Sequence, residues 1–235
     1  MNVWDNPLIK MGMTAQLATR RARIAAGEKP LGWKVGLGAP ATLQKLGLSA
    51  PLVGYLMESA LLPSGAAVSF KGYVRPVAEP EIAAIMGSDL GPGAAPTDVL
   101  AAIKELRPAI EIADLDPVPA PDNLDQVLAG DIFQRHVLVG EAAQAGGNVR
   151  GLTSRVIRRG EEFNRTGDPE ALTGKLVDIV AHVADMLAAF GESLKAGDII
   201  ITGSITPPLM IEPDETVLPH AIDPVGEVAV QFDRS

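Results

Sequence analysis

The sequence contains no cysteine, which removes disulfides, thiolate metal sites and a cysteine nucleophile from consideration. It is also short of basic charge. Twenty Lys and Arg face 29 Asp and Glu, a formal net charge of -9 that argues against an extended nucleic-acid surface. Aromatic residues make up only 4% of the chain, so the core must rely on Ile, Leu, Val and Ala. No apolar run approaches the ~20 residues that a spanning helix needs, and the opening Met-Asn-Val-Trp-Asp-Asn has no basic region followed by a long apolar one, so a cytoplasmic protein is expected. No repeat or flexible linker divides the 235 residues, which predicts one compact domain over 1–235, with 1–30 as a short helical arm.

What the sequence does have is a pair of carboxylates in an apolar run, Arg75-Pro-Val-Ala-Glu-Pro-Glu-Ile-Ala-Ala-Ile-Met86. If the run is extended, Glu79 and Glu81 share one face, with Pro80 and Ile82 on the other. Like charges placed together imply a bound cation, a basic partner or solvent. Pro80 lacks an N–H, which predicts a strand edge or a bulge. A second probable strand, Leu106–Asp114, sets Glu111 opposite Ile110 and Ile112. Three carboxylates from two strands form an all-oxygen set, suited to Mg²⁺ or Mn²⁺ if a metal binds; spacing alone equally allows a solvated sheet face.

Around these strands, Thr14 is expected to cap a helix over 15–26 whose Arg20, Arg21 and Arg23 form a solvated face, a subunit contact or a hold for a substrate carboxylate. Gly32-Trp-Lys-Val-Gly-Leu-Gly38 carries Lys34, either snorkelling to water or buried with a lowered pKa as an acid–base group. Helices are predicted over 39–48, 97–106 with Thr97 as cap, and 173–191 with Thr173 as cap. On the last of these, Asp178, His182 and Asp185 read as a solvated face. Residues 114–125 read as loop, and 132–139, 149–157 and 227–232 as strands, with a polar hairpin at 158–167. The strand Ile199-Ile-Ile-Thr-Gly-Ser204 ends in hydroxyls, offering Thr202 Oγ, Ser204 Oγ and nearby N–H groups to an anion or carbonyl.

The order of motifs is more specific than any one of them: Gly-Trp-Lys-Val-Gly-Leu at 32–37, Glu-Pro-Glu-Ile-Ala at 79–83, Pro-Ala-Ile-Glu at 108–111 and Ala-Gly-Asp-Ile-Ile-Ile-Thr-Gly at 196–203. The chain thereby resembles the fumarylacetoacetate hydrolase superfamily from about Ala15 to Phe232, and within it the branch of 2-hydroxypenta-2,4-dienoate hydratases and 4-oxalocrotonate decarboxylases. The resemblance implies a mixed α/β (α+β) fold, the fumarylacetoacetase-like β-roll with flanking helices, in a homo-oligomer. It implies Glu79, Glu81 and Glu111 as ligands of Mg²⁺ or Mn²⁺, Lys34 as the catalytic lysine, and Thr202, Gly203 and Ser204 along the substrate pocket. The implied activity is a metal-dependent lyase, hydratase or decarboxylase, of aromatic catabolism, acting on a small 2-oxo or 2-hydroxydienoic acid.

Three positions depart from the pattern. Leu52 stands where the hydratases carry an aspartate, Asp114-Leu-Asp116 replaces Asp-Ser-Arg, and Gly130-Asp-Ile-Phe133 replaces Asp-Asn-Ala-Ser. A leucine transfers no proton, so the metal cradle is kept while the reaction-specific surroundings change. Two alternatives follow. One is a metal-dependent hydrolase of an acylpyruvate-like 1,3-diketo acid, with His136, among His136, His182 and His220, as the histidine to watch for activating water. The other is a non-catalytic member that binds 2-oxo acids.

Overall fold

The computed structural model describes residues 2–233; Met1, Arg234 and Ser235, inside the expected domain span, lie outside the described residues. In chain order the strands are β1 (Pro30–Gly36), β2 (Leu52–Met57), β3 (Leu61–Leu62), β4 (Ala67–Ser69), β5 (Pro76–Met86), β6 (Ile103–Asp114) and β7 (Gln134–Val139). They continue with β8 (Gln144–Ala145), β9 (Thr153–Arg158), β10 (Glu161–Thr166), β11 (Ile199–Ile201), β12 (Leu209–Met210), β13 (Val217–Asp223) and β14 (Gly226–Asp233). The helices are α1 (Pro7–Ala25), α2 (Pro40–Leu46), α3 (Pro96–Ala102), α4 (Leu124–Ala129) and α5 (Leu176–Ala189).

Among the described residues the strands form two sheets. The first runs β2-β1-β11-β5-β6-β7-β3, with β12 also on β5 and β8 on β6; the second runs β10-β9-β13-β14-β4. Strand parity decides which face meets what. Ala78, Ile110, Ile112 and Leu138 of the first sheet pack against Val156, Leu218, Val228 and Val230 of the second. Glu79, Glu81 and Glu111 alternate with these residues and therefore face away from the second sheet. Their side of the curled sheet is flanked by helices, in keeping with the expected mixed α/β roll.

The longest strands, β5 and β6, pair antiparallel with Glu79 directly opposite Glu111 and Glu81 opposite Ala109. Pro80 is thus interior, not at an edge as its missing donor suggested. Its carbonyl accepts from Ile205 N at 2.8 Å. Donor and acceptor of one strand residue point the same way, so the absent N–H faces the gap where β11 has ended and β12 has not begun.

Helix α1 starts eight residues earlier than Thr14 suggested. Asn6 caps it by accepting from Leu8 N at 2.9 Å, Pro7 fits the first turn, and Thr14 Oγ1 donates to Lys10 O inside the helix at 2.7 Å. Ile9, Met13 and Leu17 enter the main core, so this segment is packed into the body rather than forming an arm. Helix α3 ends at Ala102, because Ile103 and Leu106, inside the helix expected over 97–106, belong to β6. Neither Thr97 nor Thr173 caps a helix: the cap residues are Ala95 and Lys175. Helix α5 buries Leu176, Ile179, Val180, Val183 and Leu187 at the spacing that the sequence predicts.

Candidate metal centre

Cross-strand pairing brings Glu79 and Glu111 together, and two residues of strand rise place Glu81 beside them. One carboxylate oxygen from each lies within 4.8 Å of the others. Glu81 and Glu111 are 1% exposed, while Glu79 is half-buried and reaches the cavity. Lys34, 1% exposed on β1, pairs with Glu111 Oε1 and donates to Ile132 O at 2.9 Å. Gly203 N donates to Glu81 Oε2 at 2.7 Å, fixing that carboxylate from the end of β11.

Burial pushes the Glu79 carboxyl up to about 7, with the Glu111 charge adding to it. Glu81 is raised further by burial and by both neighbouring carboxylates, against the opposing pull of Lys34 and Gly203 N–H. Burial also raises Glu111, opposed by Lys34. For Lys34 burial favours the neutral amine, but the charges of Glu111 and Glu79 win and its pKa is raised. The lowering considered for a buried lysine is therefore reversed: this ammonium holds its proton. With all three carboxylates ionised beside one ammonium, two negative charges would be uncompensated, the complement of one divalent cation; without a cation the raised pKa values mean that the cluster takes up protons instead. The donor set is all oxygen, which suits a hard ion.

A cavity of about 420 Å³ opens beside this group, within the usual range of small-molecule sites. Lys34, Glu79, Thr202, Gly203 and Ser204 line it, together with Leu37, Leu46, Leu115, Ile132, Phe133 and Leu172. The three residues expected along the substrate differ in what they offer. Thr202 Oγ1 is spent on Ile82 O at 3.0 Å and Gly203 N on Glu81. Ser204 Oγ is buried with no partner among the described residues, so among these three it holds the unmade hydrogen bond.

Other expected participants lie elsewhere. Leu52 shares the Lys34 face through the pairs Lys34↔Gly54 and Gly36↔Leu52, yet it is fully buried and is not among the cavity-lining residues. His136 pairs with Ile112 and so belongs to the opposite face from Glu111. His220, held neutral by burial that lowers it to about 4, binds Ala109 O at 3.0 Å and Ser154 Oγ at 3.2 Å. His182 is not solvated as expected: its ring contacts Pro51 O at 2.9 Å, while Asp185 accepts from Gly93 N at 2.7 Å. Arg20 and Arg21 pair with Glu192, Arg23 pairs with Glu28, and none lines the cavity. Arg20 is buried over the Trp33 ring, 4.4 Å from its centroid, rather than solvated.

Sequence reasoning did not find the backbone of Ile132 as a partner of Lys34, or Ile132 and Phe133 as cavity wall. The departure of Gly130-Asp-Ile-Phe133 from the family pattern was the only signal there. Asp131, Ile132 and Phe133 take φ of 57°, 48° and 70°, left-handed backbone that costs about 1–2 kcal/mol per L-residue.

The curled sheet with its buried carboxylate triad defines a class. The family model described as Fumarylacetoacetate (FAA) hydrolase C-terminal matches residues 34–231, and the chain belongs to that family. It is similar to the 4-oxalocrotonate decarboxylase of Pseudomonas putida, 28% identical over 221 residues that cover 93% of this chain and 83% of that one. It is likewise similar to the 2-hydroxyhexa-2,4-dienoate hydratase of Comamonas testosteroni, 30% identical over 217 residues, covering 90% and 81%. Among solved structures, the 4-oxalocrotonate decarboxylase of Pseudomonas putida G7, complexed with magnesium and adipate, superposes with a TM-score of 0.84 at 27% identity, covering 99% of this chain and 90% of that one.

Proposed function

We propose that this protein is a divalent-metal-dependent lyase acting on a small 2-oxo or 2-hydroxydienoic acid, with decarboxylation better served by its pocket than hydration. The observation that carries this reading is the convergence of Glu79, Glu81 and Glu111 beside Lys34 at one end of the cavity. These carboxylates would hold the ion, Mg²⁺ or Mn²⁺. Bound there, the ion supplies Lewis-acid stabilisation of negative charge developing at a substrate keto oxygen.

The chain's own residues do the rest. Glu111 and Ile132 O hold the Lys34 ammonium, which is charged and so serves as proton donor rather than base. Ser204 Oγ is free to bind a substrate oxygen. The wall of Leu37, Leu46, Leu115, Ile132, Phe133 and Leu172 excludes water from the remaining chain of the substrate.

The preference for decarboxylation rests on three positions outside the cavity lining, Leu52, Asp131 and His136, none of which presents a water-activating group to it. Hydration needs a group to orient or protonate water, and Leu52 supplies none. Asp131 turns its carboxylate to Tyr55 N at 2.8 Å, and His136 lies on the other sheet face. Loss of CO₂ asks less of the protein. The bond between a carboxylate and the saturated carbon beside the 2-oxo-alkene breaks, CO₂ leaves, the electron pair passes through the double bond toward the keto oxygen, and a proton from Lys34 is delivered to carbon of the resulting dienolate. The same lack of a water-activating group weighs against the acylpyruvate hydrolase alternative.

The test is CO₂ release from an unsaturated 2-oxo dicarboxylic acid with Mg²⁺ or Mn²⁺, beside loss of ultraviolet absorbance of 2-hydroxypenta-2,4-dienoate. Metal-dependent CO₂ release with slow hydration is expected, with a gain in hydration for Leu52→Asp. Robust hydration by the unmodified chain, without CO₂ release, contradicts the assignment.

A further inference from the structure

The left-handed run Asp131-Ile132-Phe133 is the most unusual backbone near the cavity. Residues other than glycine visit this region singly and seldom, and β-branched Ile least of all. Three in succession persist only where the surroundings over-determine them.

What holds the run is the Asp131 side chain. Its Oδ1 accepts from Tyr55 N at 2.8 Å and from Gln16 Nε2 at 3.2 Å, and Gln16 Nε2 also donates to Val53 O at 3.2 Å. The turn is thereby tied to β2 and α1 at once. Two glycines make room for it. A Cβ at Gly54 would stand 2.8 Å from Asp131 Oδ1 and 2.9 Å from Lys34 Cγ, and a Cβ at Gly36 would stand 2.8 Å from Ile132 Cγ2. The consequence is the carbonyl of Ile132, set 2.9 Å from Lys34 Nζ. A lysine has a flexible four-carbon stem, so its ammonium is aimed only as well as its acceptors are fixed. Asp131 is absent from the cavity lining and so does not touch a substrate there.

We infer that Asp131 is a positioning residue: by locking the left-handed turn it fixes the Ile132 carbonyl, and through that carbonyl the Lys34 ammonium, at the polar end of the cavity. The inference rests on the proposed role of Lys34 as proton donor, and its test separates the two.

Three variants, Asp131→Ala, Asp131→Asn and Gln16→Leu, are compared with the unmodified chain in two ways. The first is acetylation of Lys34 by acetic anhydride in metal-free protein, mapped by mass spectrometry with exposed Lys29 and Lys195 as internal controls. The second is kcat, KM and calorimetric Mg²⁺ affinity with a 2-oxo acid. Asp131→Ala should acetylate Lys34 several-fold faster and lose ~10–100-fold in kcat, the usual scale for a supporting residue, with metal affinity and KM nearly unchanged. Asp131→Asn should recover most of both, because its amide oxygen accepts the same two hydrogen bonds.

Unchanged Lys34 acetylation in Asp131→Ala overturns the inference, as does an asparagine variant as impaired as the alanine one. If the alanine variant does not fold, Gln16→Leu decides. It withdraws one donor and leaves the other, so faster Lys34 acetylation with lower kcat supports the role, and no change in either refutes it. Absence of turnover by the unmodified chain removes the proposed function, while the acetylation contrast still decides the role of Asp131.

Discussion

The two sheets bury charge in opposite ways. Beside the second sheet, Glu215, with a side chain 1% exposed, is met by Arg158 through two hydrogen bonds of 2.5 Å. At the sheet surface Asp223, its side chain 45% exposed, is met by Arg155 at 2.5 Å, and buried His220 stays neutral between two hydrogen-bond partners. In both ion pairs one carboxylate meets one guanidinium. On the far face of the first sheet, three carboxylates share one lysine. A matched pair neutralises itself, whereas an unmatched cluster carries an energetic cost that taking up protons or a cation relieves, and such clusters concentrate at functional sites.

The sharpest way to break this contrast is Lys34→Met. Turnover should fall ~10²–10⁴-fold, the scale of a lost acid–base group, while metal affinity, measured by calorimetry, holds or rises because one positive charge has left. Equal losses in both would deny Lys34 its role. Next in size, replacing Glu79, Glu81 or Glu111 by Ala should weaken Mg²⁺ or Mn²⁺ binding beyond the ~10–100-fold that supporting residues cost. An unaltered titration for any of the three removes that residue from the ligand set.

On the matched side, Arg158→Met strips the buried Glu215 of its guanidinium partner and leaves it the Glu212 N–H at 2.8 Å, and denaturant unfolding should report a loss of about 3–5 kcal/mol. The exposed pair Arg165–Glu162 is the control: Arg165→Ala should cost no more than ~1 kcal/mol.

The two regions should also respond to pH with opposite sign. Folding lifts the Glu79 carboxyl from 4.5 to about 7, so the folded state holds the proton more tightly and stability is lost as pH rises through that interval. Folding lowers His220 from 6.5 to about 4, so its share is lost as pH falls through that range. In chelator, Glu79→Gln should flatten the loss of Tm between about pH 5 and 7; for the unmodified chain, saturating Mg²⁺ in place of the chelator should do the same, and neither change should move a His220 nuclear magnetic resonance titration midpoint near 4. A Tm profile that Glu79→Gln leaves unaltered would show that the carboxylate is not the source.

Much of this site was legible because strand parity is local. A period of two places Glu79 and Glu81 on one face wherever the strand goes, and the motif order linked Glu111, Lys34 and Ser204 to the same pocket. Helix starts were less legible, since Thr14, Thr97 and Thr173 have the right chemistry for a cap, but proline at Pro7 and Pro96 and packing of the preceding residues set the actual ends. Pro80 misled for a related reason. Its missing donor predicted an edge, and only the sheet order reveals an interior gap between β11 and β12 that tolerates it.

By itself, then, the sequence determined the carboxylate pair, the strand carrying its third member, the lysine and the family, because each depends on residue type and short spacing. The tertiary structure alone decided that Glu79 faces Glu111, that Lys34 keeps its proton, and that His136 lies on the wrong face. It also decided that Asp131, 115 residues from Gln16, holds a turn no local preference would choose. Those outcomes depend on register, burial and contacts between distant segments, which fix local dielectric and charge balance only once the chain has closed on itself.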